Sequence, residues 1–225
     1  MADPDGLMLA IDTSTEMSGL ALYDGRRVSE LVWHSGRNQS GVLLEQITHL
    51  LSINRFEIAQ LSAIAVALGP GTFNGLRVGL STAKGLGYGR SIPVFGVDTL
   101  EVTAYPHLGS NQPVRAFVPA GRGRVVYGDY RYRNKRWVRS GELQNRTFDE
   151  LTYGLSEPTL LAGETPANME PDELASENAR FARPSMRSRR PGHLAELGWN
   201  RWINGEQDDV AALEPLYVHG KRPGS

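Results

Sequence analysis

A glycine-rich segment in the first half of the chain places the tightest limit on its fold. Seven of the 25 glycines lie between Gly69 and Gly89, directly after an apolar run at 63–68. We predict a strand over this run, covered on both faces because its apolar residues do not alternate, and then a helix at 75–88. Small residues recur at every fourth position of that helix, namely Gly75, Gly79, Ala83 and Gly87. Each glycine costs about 1 kcal/mol relative to alanine inside a helix, so a neighbour must pack very closely here, either from the same chain or from a second subunit.

The order of the predicted elements around this segment indicates the fold class. Strands are predicted at 7–12, 19–23, 28–34, 63–68 and 93–97, and helices at 40–51 and 75–88. Three antiparallel strands followed by helix, strand, helix and strand is the order of the ribonuclease-H-like unit of actin-like (ASKHA) proteins. We therefore predict a two-lobed actin-like α/β fold with a mixed sheet flanked by helices. The expected lobes are 1–105 and 106–225, and the last helix either stays in the second lobe or packs back on the first.

The composition argues against several classes of protein. The chain has no cysteine, and its five histidines show neither HxxxH nor HxxH spacing, so we predict no metal site. There is no GxSxG elbow, and we predict no catalytic residue. The net charge is −1, and the longest apolar run has six residues, against about 20 for a membrane span. These features, together with an N-terminus unlike a signal peptide, predict a cytoplasmic protein without membrane contact.

Two interpretations stay open for the polar residues that end the first predicted strand. Asp12, Thr13 and Ser14 suit a nucleotide cleft, in which the carboxylate holds magnesium through water and the hydroxyls approach phosphate. The same residues suit a turn in which side-chain oxygens bind backbone amides, and the residues alone favour this turn. The loop at 69–75 also opens a helix, but it lacks the Gly-Lys-Ser/Thr and GxGxxG patterns of phosphate-binding loops.

Charge is segregated along the second half of the chain. Residues 115–146 hold nine basic and two acidic side chains, whereas 149–177 holds eight acidic and no basic ones. Either these are solvated surfaces that partly neutralise one another, or the basic stretch meets RNA or an acidic partner. Three tyrosines interleave with arginines in this stretch, which suits stacking on bases, although strand tyrosines more often pack in a core. They are Tyr127, Tyr130 and Tyr132.

Four stretches of the sequence resemble the TsaB (YeaZ) family. They are 8–15 (MLAIDTST), 68–79 (LGPGTFNGLRVG), 83–86 (AKGL) and 213–218 (LEPLYV). Members of this family are bacterial partners in making threonylcarbamoyladenosine on tRNA. The resemblance is dense over 7–105 and thin over 106–205, so it bears mainly on the first lobe.

The resemblance implies a non-catalytic scaffold that binds and stabilises a TsaD-type threonylcarbamoyl transferase, in a complex that also holds a TsaE-type ATPase. TsaD-type proteins carry an HxxxH metal pair on a helix of the first lobe, and the corresponding helix here has only His49. The resemblance also implies no cofactor of the chain's own, with ATP or ADP at the interface with the TsaD-type partner, and an indirect contact with tRNA. An ATP-dependent actin-like enzyme and a metallopeptidase homologue are the alternatives, although the chain has no DxGG-like loop and no metal-binding histidine pair.

Family members also form a homodimer when alone, through first-lobe helices that exchange this contact for TsaD in the working complex. By position, the resemblance places the interface on two predicted helices of this chain. The residues are Leu43, Ile47 and Leu50 in the first helix, and Gly75, Leu76, Gly79, Leu80 and Ala83 in the second. We expect Leu76 and Leu80 to be exposed beside the glycines, with apolar area that one subunit leaves uncovered.

Overall fold

The computed structural model describes residues 6–36, 39–107, 112–133, 136–166 and 169–218. The chain divides into two compact units. The first contains Met1–Thr99 and Arg190–Leu216, and the second contains Leu100–Arg189 and Tyr217–Ser225. The segment 221–225, which the sequence predicts to be disordered, lies outside the described residues.

The described residues form ten strands and four α-helices. The strands are β1 (Leu7–Asp12), β2 (Met17–Tyr23), β3 (Val28–His34), β4 (Leu61–Gly69), β5 (Val94–Asp98), β6 (Val114–Pro119), β7 (Arg124–Arg133), β8 (Arg136–Thr147), β9 (Thr159–Gly163) and β10 (Ala179–Phe181). The helices are α1 (Gln39–Ile53), α2 (Phe73–Arg90), α3 (Thr99–Ala104) and α4 (Pro191–Ile203). A short 3₁₀ helix at Phe148–Thr152 follows β8.

The sheet of the first unit has the strand order β3-β2-β1-β4-β5. Its first three strands are antiparallel, whereas β1, β4 and β5 run parallel. The connections to the parallel strands pass through α1 and α2, as a parallel pair requires a crossover. A mixed sheet flanked by helices was predicted, and the structure confirms it.

The side chains of β1 alternate between the two faces of the sheet, and different helices cover the two faces. Leu9 and Ile11 belong to a buried cluster that includes side chains of α1 and α2. Successive side chains of a strand point to opposite faces, so Met8 lies on the other face, where α4 packs. A Cβ on Gly198 of α4 would lie only 2.5 Å from the Cβ of Ala65 and 3.2 Å from the Sδ of Met8. The sheet is therefore enclosed between α1 and α2 on one side and α4 on the other.

The position of α4 decides between the two arrangements that the sequence left open for the last helix. The helix packs back on the first lobe, because 190–216 belongs to the first unit. The boundary between the units also falls after Thr99 rather than at 105. The close fit of Gly198 on Ala65 is the physical reason, because the missing side chain lets the α4 backbone approach the sheet.

The second unit has a sheet of order β10-β9-β6-β7-β8, and a buried arginine connects its central strands. Nε and Nη2 of Arg115 on β6 donate to the two carboxylate oxygens of Asp129 on β7, at 2.7 and 3.0 Å. Nη1 donates to the carbonyl oxygens of Leu151 and Tyr153, at 2.7 and 2.9 Å. The guanidinium carbon also lies 4.4 Å from the ring centroid of Tyr127. Arg115 therefore ties β6, β7 and the 3₁₀ helix after β8 together.

His193 on α4 should make the stability of the first unit depend on pH. Burial lowers the pKa of His193, and the charge of Arg190 lowers it further, against opposing contributions from Glu196 and Glu30. The folded state therefore binds the proton less readily than the unfolded chain, in which the histidine pKa is 6.5. The stability contribution of the neutral ring is complete above that pH and is lost progressively as the pH falls below it.

The change His193→Gln should remove this part of the pH dependence. The measurement is the free energy of unfolding in urea at a series of pH values between about 5 and 8, the range in which histidine titrates. Wild type and variant should diverge as the pH falls through this range. Parallel curves for the two proteins would contradict the assignment.

Candidate functional site

The polar turn after β1 uses its side chains within the chain. Oδ1 of Asp12 accepts hydrogen bonds from the backbone N–H of Ser14, at 2.9 Å, and from the Ser14 hydroxyl, at 2.5 Å. The Thr13 hydroxyl donates to the carbonyl oxygen of Gly75 in α2, at 2.7 Å. All three turn residues are buried. These are the contacts of the turn interpretation, and in this conformation Asp12, Thr13 and Ser14 do not present the exposed groups that a nucleotide and its magnesium need.

The loop between β4 and α2 packs directly on this turn. The backbone N–H of Thr72 donates to the carbonyl oxygen of Ser14, at 2.7 Å. A Cβ on Gly71 would lie 2.2 Å from the same oxygen. Only glycine permits this approach of one backbone to another, which explains the Gly-Pro-Gly start of the loop.

The end of β4 is hydrogen-bonded to the segment near Leu216. The carbonyl oxygen of Leu68 accepts a hydrogen bond from the N–H of Leu216, at 2.7 Å. The N–H of Gly69 donates to the Thr99 hydroxyl, at 3.0 Å. Gly69 has a φ of +115°, and a Cβ there would lie 2.7 Å from the carbonyl oxygen of Leu216. Three of the four stretches that carry the family resemblance therefore meet where β1 and β4 end.

The predicted small-residue stripe of α2 faces the sheet of its own unit. We call Gly75, Gly79, Ala83 and Gly87 the inner stripe. A Cβ on Gly79 would lie 2.3 Å from Oγ1 of Thr13, and one on Gly87 would lie 2.5 Å from Cγ2 of Val94. The close neighbour that the sequence required is therefore the chain itself.

The residues expected at a subunit interface are buried inside the first unit, which corrects the sequence-based assignment. Leu76 and Leu80, expected to be exposed, have relative exposures of only 1% and 6%. The others are buried as well, namely Leu43, Ile47, Leu50, Gly75, Gly79 and Ala83. The helical period identifies one side of a helix but not what covers it, and here the covering element is the sheet. These side chains are therefore not available to a partner on the surface of the folded unit.

The opposite side of α2 carries a second stripe, which the sequence reasoning missed. Its members recur at every fourth position and are all exposed, and we call them the outer stripe: Phe73, Arg77, Ser81, Gly85 and Gly89. A Cβ on Gly85 or Gly89 would meet no atom within 4 Å. Leu44 of α1 and Tyr88 of α2 are each 61% exposed. The spacing of Gly85 and Gly89 was the available signal, since it equals the spacing of the inner stripe.

The remaining features of the described residues concern metals and membranes. Within the described ranges, no three or more His, Cys, Asp or Glu side chains are grouped so that they could bind a metal ion. Over the same parts of the chain, no helix combines the length and the apolar character that a membrane crossing needs. The 18-residue α2 carries three basic residues, Arg77, Lys84 and Arg90.

Comparisons with known sequences agree on one family. The family model for the tRNA N6-adenosine threonylcarbamoyltransferase TsaD matches residues 34–193. The tRNA threonylcarbamoyladenosine biosynthesis protein TsaB of Bacillus subtilis is 28% identical over 94% of this chain and 93% of its own length. The protein of the same name from Escherichia coli is 31% identical over 60% of this chain. That match spans 59% of the Escherichia coli protein, less than two thirds of its length.

Comparisons with solved structures agree on the fold. The structure of YeaZ from Pseudomonas aeruginosa superposes with a TM-score of 0.76 at 22% identity, over 95% of this chain and 100% of that one. A second structure from that organism, described as an uncharacterized protein with similarity to peptidase YeaZ, has a TM-score of 0.78 with the same identity and coverage. At this identity the likeness shows the fold alone, which is the actin-like α/β class predicted from the sequence.

Proposed function

Because the chain belongs to the TsaB (YeaZ) family, we propose that it acts in threonylcarbamoyladenosine biosynthesis on tRNA, as a non-catalytic subunit that binds and stabilises a TsaD-type transferase. Two relatives carry this biosynthesis in their names, and the family model that matches 34–193 is that of the transferase. Within the chain, the observation that carries the proposal is the outer stripe of α2.

Among the described residues, no contact offsets the cost of the glycines in the outer stripe. A glycine within a helix costs about 1 kcal/mol relative to alanine. Gly79 and Gly87 of the inner stripe are required by their contacts with the sheet, whereas Gly85 and Gly89 face open space. A helix of a partner that approaches the α2 backbone closely would give the outer glycines the same role. The exposed Leu44 and Tyr88 would add apolar area to such a contact.

The same surface serves the other partners in this proposal. A second copy of the chain occupies the outer stripe when the TsaD-type protein is absent, so the homodimer and the complex compete. The TsaE-type ATPase joins the assembly of the other two subunits. ATP or ADP binds at the interface with the TsaD-type partner rather than at the turn after β1. The oxygens of Asp12, Thr13 and Ser14 are buried in that turn. tRNA is the substrate of the whole complex.

Enlarging Gly85 should block the partner without harming the fold. We expect Gly85→Trp to remain folded and to lose at least about tenfold in affinity for the TsaD-type protein from the same organism, a loss of about 1.4 kcal/mol. The dissociation constant is measured by calorimetry and the fold by circular dichroism. The variant should also shift the homodimer toward monomer in sedimentation experiments.

Two matched variants make this test specific. Gly85→Ala places one methyl group in open space and raises helix propensity, so it should be at least as stable as wild type. Asn200→Trp puts the same large ring on an exposed position of α4, and it should bind the TsaD-type protein normally. Wild-type affinity for Gly85→Trp, or an equal loss for Asn200→Trp, would overturn the proposed surface.

A further inference from the structure

The connected ends of β7 and β8 concentrate positive charge. Residues 131–139 (RYRNKRWVR) contain five basic side chains, two aromatic ones and no acidic ones. We use the term hairpin end for its described part, Arg131–Arg133 of β7 and Val138–Arg139 of β8. Arg131 forms an ion pair with Glu157. The chain as a whole has a net charge of −1, so this charge is a local property.

The strand register places an exposed arginine on the same face of the hairpin as Tyr132. Arg139 pairs with Tyr130 across the two strands. Tyr130 and Tyr132 are two residues apart on β7, so the side chains of Tyr132 and Arg139 point to the same face.

The three tyrosines of β7 differ in burial, and this determines which of them can contact a ligand. Tyr127 and Tyr130 are buried in the two cores of the second unit, so the packing interpretation applies to these two rather than the stacking one. Tyr132 is 42% exposed, and its neighbour Arg133 is exposed as well. Arg139, opposite Tyr130 on β8, is also exposed. One aromatic ring and two arginines are therefore accessible at the hairpin end.

We propose that the hairpin end binds RNA directly, with Arg133 and Arg139 contacting phosphates and Tyr132 stacking on a base. Arginine combined with an exposed aromatic ring is the combination that binds unpaired nucleotides, because every base has a face on which a ring can stack. An acidic protein partner would use the charge but would gain little from the ring. That the RNA is tRNA rests on the proposed function. The inference also differs from the family resemblance, which implies that this subunit contacts tRNA only indirectly.

Binding of bulk bacterial tRNA to the full chain tests this directly. Fluorescence anisotropy is measured between about 50 and 200 mM salt, where phosphate contacts make affinity strongly salt-dependent. The double variant Arg133→Ala/Arg139→Ala should bind about tenfold more weakly, with a salt slope lower by about 1–2. Tyr132→Ala should also bind about tenfold more weakly, whereas Tyr132→Phe should bind as wild type because the ring is kept.

A charge-matched control separates the hairpin end from the general charge of the chain. Arg180→Ala/Arg183→Ala removes two exposed arginines elsewhere in the second unit, and tRNA affinity should change by less than about twofold. An equal loss in this control, or no tRNA binding by wild type, would overturn the proposal. If polyglutamate displaces tRNA efficiently and Tyr132→Ala binds normally, the surface serves an acidic protein and the RNA proposal fails.

The outcome is independent of the proposed subunit role. The hairpin-end variants retain the whole outer stripe, so their affinity for the TsaD-type protein should equal that of wild type. Normal TsaD binding with undiminished tRNA affinity would reject only the RNA contact. Loss of TsaD binding in Gly85→Trp, with normal tRNA binding, would support the subunit role separately.

Discussion

Replacing Gly79 with leucine should unfold the first unit rather than release a folded monomer. The new Cβ would start 2.3 Å from Oγ1 of Thr13, and that hydroxyl is held in place by its bond to the Gly75 carbonyl. Neither backbone can withdraw easily, because the turn that contains Thr13 is also bonded to the loop before α2 through Ser14 and Thr72. We expect a loss of about 3 kcal/mol or more in the free energy of unfolding, measured in urea by circular dichroism.

The same substitution on the outer stripe is the matched control. Gly85→Leu lies in the same helix, removes the same residue type and adds the same side chain, but into open space. It should be as stable as wild type or more stable, because leucine has the higher helix propensity. A stable, monomeric Gly79→Leu protein would restore the inner stripe as an interface and contradict the structure.

Removing the buried guanidinium of Arg115 should destabilise the second unit by about 2–4 kcal/mol, chiefly because two carbonyl acceptors lose a charged donor. Arg115→Ala would leave the carbonyl oxygens of Leu151 and Tyr153 without their donor and would leave a cavity beneath Tyr127. It would also leave the carboxylate of Asp129 without its two hydrogen bonds. Urea unfolding followed by circular dichroism, together with limited proteolysis at the exposed chain after Tyr153, measures the effect.

An exposed arginine of the same sheet provides the comparison. Arg131 pairs with Glu157, but both side chains are partly exposed, so Arg131→Ala should cost at most about 1 kcal/mol. The contrast tests whether burial of the guanidinium, rather than the presence of an ion pair, determines how much Arg115 stabilises the second unit. Equal losses in the free energy of unfolding for the two substitutions would show that burial is not the cause.

Regular patterns in the sequence were sufficient to predict most strands and helices of the first unit. The continuous apolar run in β1 predicted that strand, and β1 and β3 both have the bounds expected from the sequence. In the second unit, β8 contains a glycine at which a strand could end, yet it continues to Thr147. Gly141 has a φ of +76°, and the register with β7 shifts there, so the glycine accommodates a bulge within the strand instead of ending it.

The candidate site was harder to predict because periodicity does not specify the neighbour. The inner and outer stripes of α2 have the same four-residue spacing, and only the positions of Thr13 and Val94 decide which one the sheet covers. For Asp12 the turn interpretation needed only local residues, and local sequence was enough to favour it. Likewise, alternation could place Tyr130 and Tyr132 on the same face of β7, but not show that only the second is exposed.

The division of the first unit into two separated stretches of sequence bears on how the chain acquires its fold during synthesis. When the first hundred residues have left the ribosome, the face of β1 and β4 that contains Met8 and Ala65 has no cover, because α4 is still ninety residues away. The nascent first unit therefore exposes apolar surface while Leu100–Arg189 of the second unit are being made. Contacts between residues so far apart form slowly and leave intermediates open to aggregation. The last strand of the second unit can thus be in place before α4 covers the first sheet.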